Sequence, residues 1–261
     1  MKYSRYFIIF ITIILLSACT QNGEQKEQKK NVTLTISAAA SLQNVLIDIQ
    51  KEFKKEYPSV SIVYNFGGSG TLQQQILKGA PIDLYIFADE KKAKQLMEKG
   101  LVEKDTAKNL LGNQLVLIQS NSSKTPISNI EDLIHNDIKK IAIGTPETVP
   151  AGEYTKQALE QMRLWSQLEN KMVPTKDVRQ VLTYVETGNV DAGFVYLTDA
   201  IDSKKIKIVT EVPEESHNLI IYPTGIINTS KHKHEASLFS SFLESEKAKK
   251  IYNKHRFIVL D

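Results

Sequence analysis

The stretch "VSIVYNFGGSGTLQQQILKGAPIDLYIFA", residues 60–88, decides the fold. Its opening "VSIVYNF" is rich in β-branched and aromatic residues and predicts a strand. Glycines and a serine follow, then Leu72 and Ile76 at helical spacing, with "KGAP" closing the helix. "IDLYIFA" then reads as a further strand. Gly67, Gly68 and Gly70 are expected to let the backbone turn tightly and aim N–H groups at a ligand. The helix that follows starts with donors that have no partner of their own, a corner that favours an anion. A phosphate-cradling P-loop needs Lys and Ser or Thr directly after its glycines, whereas Thr71 is followed by Leu72 and Gln73. The loop therefore argues against a nucleotide.

The pattern extends outward on both sides. "VTLTISA" (32–38) is a predicted strand, followed by Leu42, Val45, Leu46, Ile49 and Phe53 at helical spacing, with a stop at Tyr57-Pro58. Glu90–Lys99 is a predicted helix closed by Gly100. Strands separated by helices in this way imply parallel sheets covered on both faces, hence an α/β architecture. In the second half "NQLVLIQ", "KKIAIG", "AGFVYL" and "IKIVTEV" read as strands, with helices at Asn129–His135, Glu153–Leu164 and Asp177–Thr187. "HNLIIYPTGIIN" (217–228) is a long extended segment broken by Pro223, and Glu235–Tyr252 is an amphipathic helix. We expect the chain to cross between two lobes near Gly112-Asn113 and near Pro223-Thr224. Lobe 1 would comprise 32–112 and 224–261, lobe 2 would comprise 113–223, and two crossings would make a hinge.

The N-terminal end carries its own signal. Lys2 and Arg5 precede an apolar run, Phe7 to Leu16, too short for an ordinary membrane span, so 1–19 reads as a secretion signal. It ends in "LSAC", which resembles the bacterial lipobox, and Cys19 is the single cysteine of the chain. A lone cysteine forms no internal disulfide, and lipidation at Cys19 gives it a reason. Residues 20–31, "TQNGEQKEQKKN", read as a polar tether. The protein is thus expected on the outer face of the cytoplasmic membrane, held by a lipid anchor. The formal net charge of +3 is small and offers nothing for nucleic acid.

Ligand sites in open α/β sheets lie beyond the carboxyl ends of strands. The loops there are "SAAASL", "FGGSGT", "GTPETVPAG", "PTKDV" and "VYLTDA", rich in hydroxyls and helix starts, with Lys176 their one cation. Together "AAASL", "GSGTLQQQILKGAPIDLYIFAD", "GTPETVPAGEYTKQAL", "DVRQVL" and "VYLTDA" resemble, in order and approximate spacing, the molybdate-binding proteins of bacterial ABC transporters. The resemblance covers residues 32–261. It implies a two-lobed periplasmic-binding-protein-like fold of type II, with molybdate or tungstate held in the interlobe cleft by hydrogen bonds. It further implies as ligands Ser41 and Ser69 through hydroxyl and backbone N–H, Ala151 and Val178 through backbone N–H, and Tyr196 through its phenol. It implies no catalytic residue, no free metal cation and no cofactor. The implied partners are a membrane permease with its ATPase, and the chain is expected to act as a monomer.

Each of these residues also has a plainer reading. Ser41 suits a helix N-cap, Ser69 a turn, and Tyr196 a core position at the end of an apolar run. Asp177 is expected to cap its helix and point away from an anion, and Arg179 to lie on a solvated helix face. The rival functions are a binding protein for another small anion such as sulfate, a structural lipoprotein, and a serine hydrolase. The last would need Ser69 with His217 and Asp191 or Asp199, but "GGSGT" lacks the second glycine of a nucleophile elbow. "HKH" at 232–234 has an alternating spacing that could bind a metal, yet reads as an exposed segment before the last helix.

Overall fold

The structure, a computed structural model, describes residues 31–260. The expected signal segment, Cys19 and the tether up to residue 30 lie outside the described residues. The strands are β1 Val32–Ala39, β2 Val60–Gly67, β3 Leu84–Ile86, β4 Lys108–Gly112, β5 Leu115–Ser120, β6 Ile141–Gly144, β7 Met172–Thr175, β8 Ala192–Tyr196, β9 Ile206–Glu211, β10 Ile221–Ile226 and β11 Ile258–Val259. They form two sheets, ordered β11-β4-β10-β3-β1-β2 and β7-β6-β8-β5-β9, one in each of two lobes.

The quoted stretch folds as read. β1 runs parallel to both β2 and β3, from Val32 opposite Val60 to Ala39 opposite Gly67, and the Ser69–Leu77 helix makes the crossover. Leu34, Ile36 and Ala38 are buried at period two along β1, while Val45, Leu46, Ile49 and Phe53 are buried at helical spacing on the Gln43–Glu56 helix. Phe53 stacks on Tyr57 with centroids 4.6 Å apart and meets Phe239 and Phe242 edge-on at 5.1 and 5.4 Å. That cluster ties the C-terminal Lys233–Leu243 helix to the first lobe, and burial of one such ring contributes about 1.5–3 kcal/mol.

Several expectations are corrected. The sheets are mixed: β10 runs antiparallel to β3 and β4, and β5 runs antiparallel to β8 and β9. The reason is the double crossing, because a strand returning from the other lobe enters the sheet in the opposite sense. Pro223 and Thr224 do not mark that return. They lie inside β10, which pairs with β4 from Ile221 onward, and Pro223 merely shifts the register after Tyr222. The two crossing segments run side by side, with the Asn113 amide donating to the Ile220 carbonyl at 3.2 Å. The final helix is two helices, Lys233–Leu243 and Glu246–Lys254, the second capped by Ser245, whose Oγ accepts from the Ala248 amide at 3.2 Å. Between Asn129 and His135 there is only a 3-10 turn, Glu131–Ile134. β7 was not legible because Pro174 lies in it, which its edge position tolerates.

Candidate functional site

Each loop at the carboxyl end of a strand carries one expected residue. After β1, Ser41 sits in the 3-10 turn Ala40–Leu42 and makes no side-chain cap; its hydroxyl lies 3.0 Å from the Tyr222 phenol instead. After β2, Ser69 opens the Ser69–Leu77 helix, fully buried, and its Oγ accepts from the Ala88 amide at 3.0 Å. After β6, Ala151 is the second residue of the Pro150–Gln161 helix, whose first residue has no N–H to offer. After β7, Val178 is the first residue of the Val178–Glu186 helix; Asp177 caps it, accepting from the Gln180 amide at 2.9 Å, as expected. First-turn N–H groups of such helices have no intrahelical partner. Tyr196 ends β8, and its buried hydroxyl has no hydrogen-bond partner among the described residues.

These loop ends meet between the lobes. The Val178–Glu186 helix packs against the Ala40–Leu42 turn. Gly68, next to Ser69, comes within touching distance of Thr148, Val149 and the Lys176 carbonyl. The Tyr196 ring lies 6.1 Å from that of Tyr222, which in turn reaches Ser41. The loops that carry Ser41, Ser69, Val178 and Tyr196 are thus linked through these contacts, and the loop before Ala151 joins them through Thr148 and Val149. The lobes touch directly around these loops: the Gly70 amide donates to the Thr148 carbonyl at 2.9 Å, the Tyr154 hydroxyl to the Ala88 carbonyl at 3.2 Å, and Arg179 to Asn44 Oδ1 at 3.2 Å.

The glycines have a different purpose from the one expected. None of Gly67, Gly68 and Gly70 has a positive φ, and the Gly70 N–H is already bonded. A Cβ on Gly68 would lie 2.7 Å from the Thr148 carbonyl oxygen, and one on Gly70 would lie 2.8 Å from Thr148 Cα. These positions are bare so that the second lobe can approach.

The electrostatics are those of neutral donors. Burial pushes the Tyr154, Tyr196 and Tyr222 phenols well above their usual range, so all three keep their protons near neutral pH. Arg179 is not simply solvated. Its Nη1 stands 3.7 Å from Asp199 Oδ1, an ion pair longer than a hydrogen bond. Asp199 is buried, and burial raises its carboxyl to about 7 although Arg179 pulls the other way. Sequence reasoning missed Asn113, Thr198 and Tyr222, which join behind the serine loop, with Asn113 Nδ2 at 2.8 Å from Thr198 Oγ1 and 3.0 Å from the Tyr222 hydroxyl. The signal available was position alone: Asn113 and Tyr222 sit where the chain passes between lobes.

The hydrolase constellation does not assemble. His217 Nδ1 donates to the Asn218 carbonyl at 2.7 Å, Asp191 accepts from the Lys139 and Lys140 amides, and Ser69 bonds neither. His232 is half-buried and His234 exposed, and no group of three metal-ligating side chains occurs among the described residues.

A two-lobed α/β body with one mixed sheet in each lobe and strand-end loops meeting between them is the type II fold of solute-binding proteins. Residues 34–258 match the family of bacterial extracellular solute-binding proteins. The chain is 44% identical, over 98% of both chains, to a protein of Bacillus subtilis (strain 168) described as an ABC transporter substrate-binding lipoprotein. It is 36% identical to the molybdate-binding protein ModA of Escherichia coli (strain K12), covering 87% of this chain and 89% of that one. Among solved structures, a substrate-binding domain assigned to a molybdenum ABC transporter of Clostridium difficile superposes with a TM-score of 0.68 at 43% identity, covering 88% of this chain and all of that one. The chain belongs to the bacterial extracellular solute-binding proteins, alongside the molybdate-binding proteins of ABC importers.

Proposed function

We propose that the cleft captures molybdate, and tungstate with it, for an ABC importer, with Ser41, Ser69, Ala151, Val178 and Tyr196 as the ligands. The observation that carries this reading is the buried Tyr196 hydroxyl without a protein partner. An unpaired buried hydroxyl costs about 1–3 kcal/mol, and an oxyanion oxygen would satisfy it. Ser69 supports the same polarity: its oxygen already accepts from the Ala88 amide, so its proton is left to donate. Molybdate and tungstate carry no protons near neutral pH and can accept from every side, whereas phosphate keeps a proton that a donor-only pocket leaves unpaired. Sulfate also lacks protons, and cavity size must separate it. The reading requires no resident cofactor. The closed form would dock, as a monomer held at the membrane by the lipid on Cys19, on a permease driven by its ATPase.

Calorimetric titration of the protein with molybdate, tungstate, sulfate and phosphate tests the cargo. Saturable one-to-one heat from the first two and little from the others is expected. Silence from all four in a folded protein would defeat the oxyanion reading. Tyr196→Phe and Ser69→Ala should each weaken molybdate binding on the order of tenfold, the worth of one hydrogen bond to the anion, with the fold unchanged by circular dichroism. Wild-type affinity in either variant removes that residue from the site.

A further inference from the structure

The polar chain behind Ser41 has a direction that follows from its chemistry. Asn113 Oδ1 accepts from the Gln114 amide at 2.9 Å, which fixes the amide orientation and leaves Nδ2 facing the hydroxyls. Nδ2 reaches both Thr198 Oγ1 and the Tyr222 hydroxyl, and an amide nitrogen only donates. Tyr222 therefore accepts from Asn113. Its own proton has one recorded partner, Ser41 Oγ at 3.0 Å. The arrangement that pairs the Tyr222 proton has Ser41 accepting it, which leaves the Ser41 proton to donate elsewhere. Tyr222 is rigidly placed for this: it is fully buried, with its ring edge-on to Phe257 at 5.6 Å.

We propose that Tyr222, held by Asn113, is a specificity-determining positioning residue: by donating to Ser41 Oγ it orients the serine hydroxyl so that its proton, rather than a lone pair, faces the cargo, and protonated anions are disfavoured. The inference rests on the oxyanion reading above. It also places the relay at the hinge, because Asn113 lies on the first crossing, Tyr222 is the second residue of β10, the strand after the second, and Thr198 belongs to the second lobe. Selection for an unprotonated anion is thereby tied to the closed arrangement of the lobes.

The test compares wild type with Tyr222→Phe, which keeps the ring and removes the hydroxyl. Molybdate and phosphate affinities are measured at about pH 6, where phosphate carries a proton. In the variant the Ser41 hydroxyl is free to rotate and turn a lone pair toward that proton, so the molybdate-to-phosphate affinity ratio should fall roughly tenfold or more, the worth of one hydrogen bond moved from one anion to the other. A merely structural role weakens both anions together, and an unchanged ratio overturns the proposal. A wild type that binds no oxyanion overturns the cargo reading and the specificity role together, a result distinct from a binding wild type with an unaltered variant. Should Tyr222→Phe fail to fold, neutron diffraction on the wild-type protein decides: a deuteron on the Tyr222 oxygen directed at Ser41 supports the relay, and one on Ser41 directed at Tyr222 refutes it.

Discussion

Gly70→Ala is expected to weaken oxyanion binding by about 10- to 100-fold while leaving the thermal midpoint of the protein near that of the wild type. The added Cβ would stand 2.8 Å from Thr148 Cα and 3.0 Å from the Thr148 carbonyl oxygen, and backbone atoms cannot swing aside as a side-chain tip can. Overpacking of this kind costs about 1–3 kcal/mol. Here it falls between lobes rather than within one, so the chain relieves it by parting them. The Gly70–Thr148 hydrogen bond is lost at the same time. The closed form bears the penalty and the folded lobes do not. Gly152 offers the contrasting case: a Cβ there would lie 1.8 Å from the Gly144 carbonyl oxygen inside the second lobe, so Gly152→Ala should lower the melting midpoint itself. Titration and thermal melts of both variants check the pair. Undiminished affinity in Gly70→Ala would show that closure does not bring these backbones together.

The wild type is expected to lose stability between pH 5 and 8, and Asp199→Asn to remove that dependence. The Asp199 carboxyl titrates at about 7 in the folded protein against 3.8 as its ordinary value, because burial disfavours the charged form more than Arg179 favours it. A folded value above the unfolded one means that the native state holds its proton more tightly. The stabilisation is complete below the unfolded value and is lost as pH rises through the folded one. From pH 5 to pH 8 the wild type should therefore lose about 2–3 kcal/mol relative to the variant, whose amide carries no charge at either pH. Neighbouring charge is limited: Arg179 attracts, Asp177 repels, and the phenols of Tyr154, Tyr196 and Tyr222 stay neutral in this range. Denaturant titrations of both proteins at the two pH values give the comparison. Parallel stability curves would mean that Asp199 is ionised throughout and fully compensated by Arg179.

Much of the first lobe was legible because its information is local. The alternation in β1, the helical spacing of Val45, Leu46, Ile49 and Phe53, and the β2–helix–β3 unit each bury their apolar faces as the sequence pattern requires. Where an element depends on a distant partner, the pattern carries less. β4 and β11 pair with each other across more than half the chain, and neither has a strong periodic run of its own. β7 contains a proline that only an edge position tolerates. The proposed site divides in the same way. The family resemblance pointed to Ser41, Ser69, Ala151, Val178 and Tyr196, while the plainer reading of the loop gave Ser41 a capping bond that it does not make. The same reading set Arg179 on a solvated face although it pairs with Asp199 and reaches Asn44.

The sequence by itself determined the α/β class, the order of the loops, and the near absence of cations from them. Those are properties of neighbouring residues, set by periodicity, glycine placement and helix starts. Only the tertiary structure decided what the glycines are for, which hydroxyls spend their protons within the protein and which do not, and that a buried carboxyl lies behind the cleft. Each of these is a relation between residues far apart in the chain, such as Gly70 with Thr148 or Ser41 with Tyr222. The energy of a close approach or a hydrogen bond depends on ångström distances that no local pattern specifies.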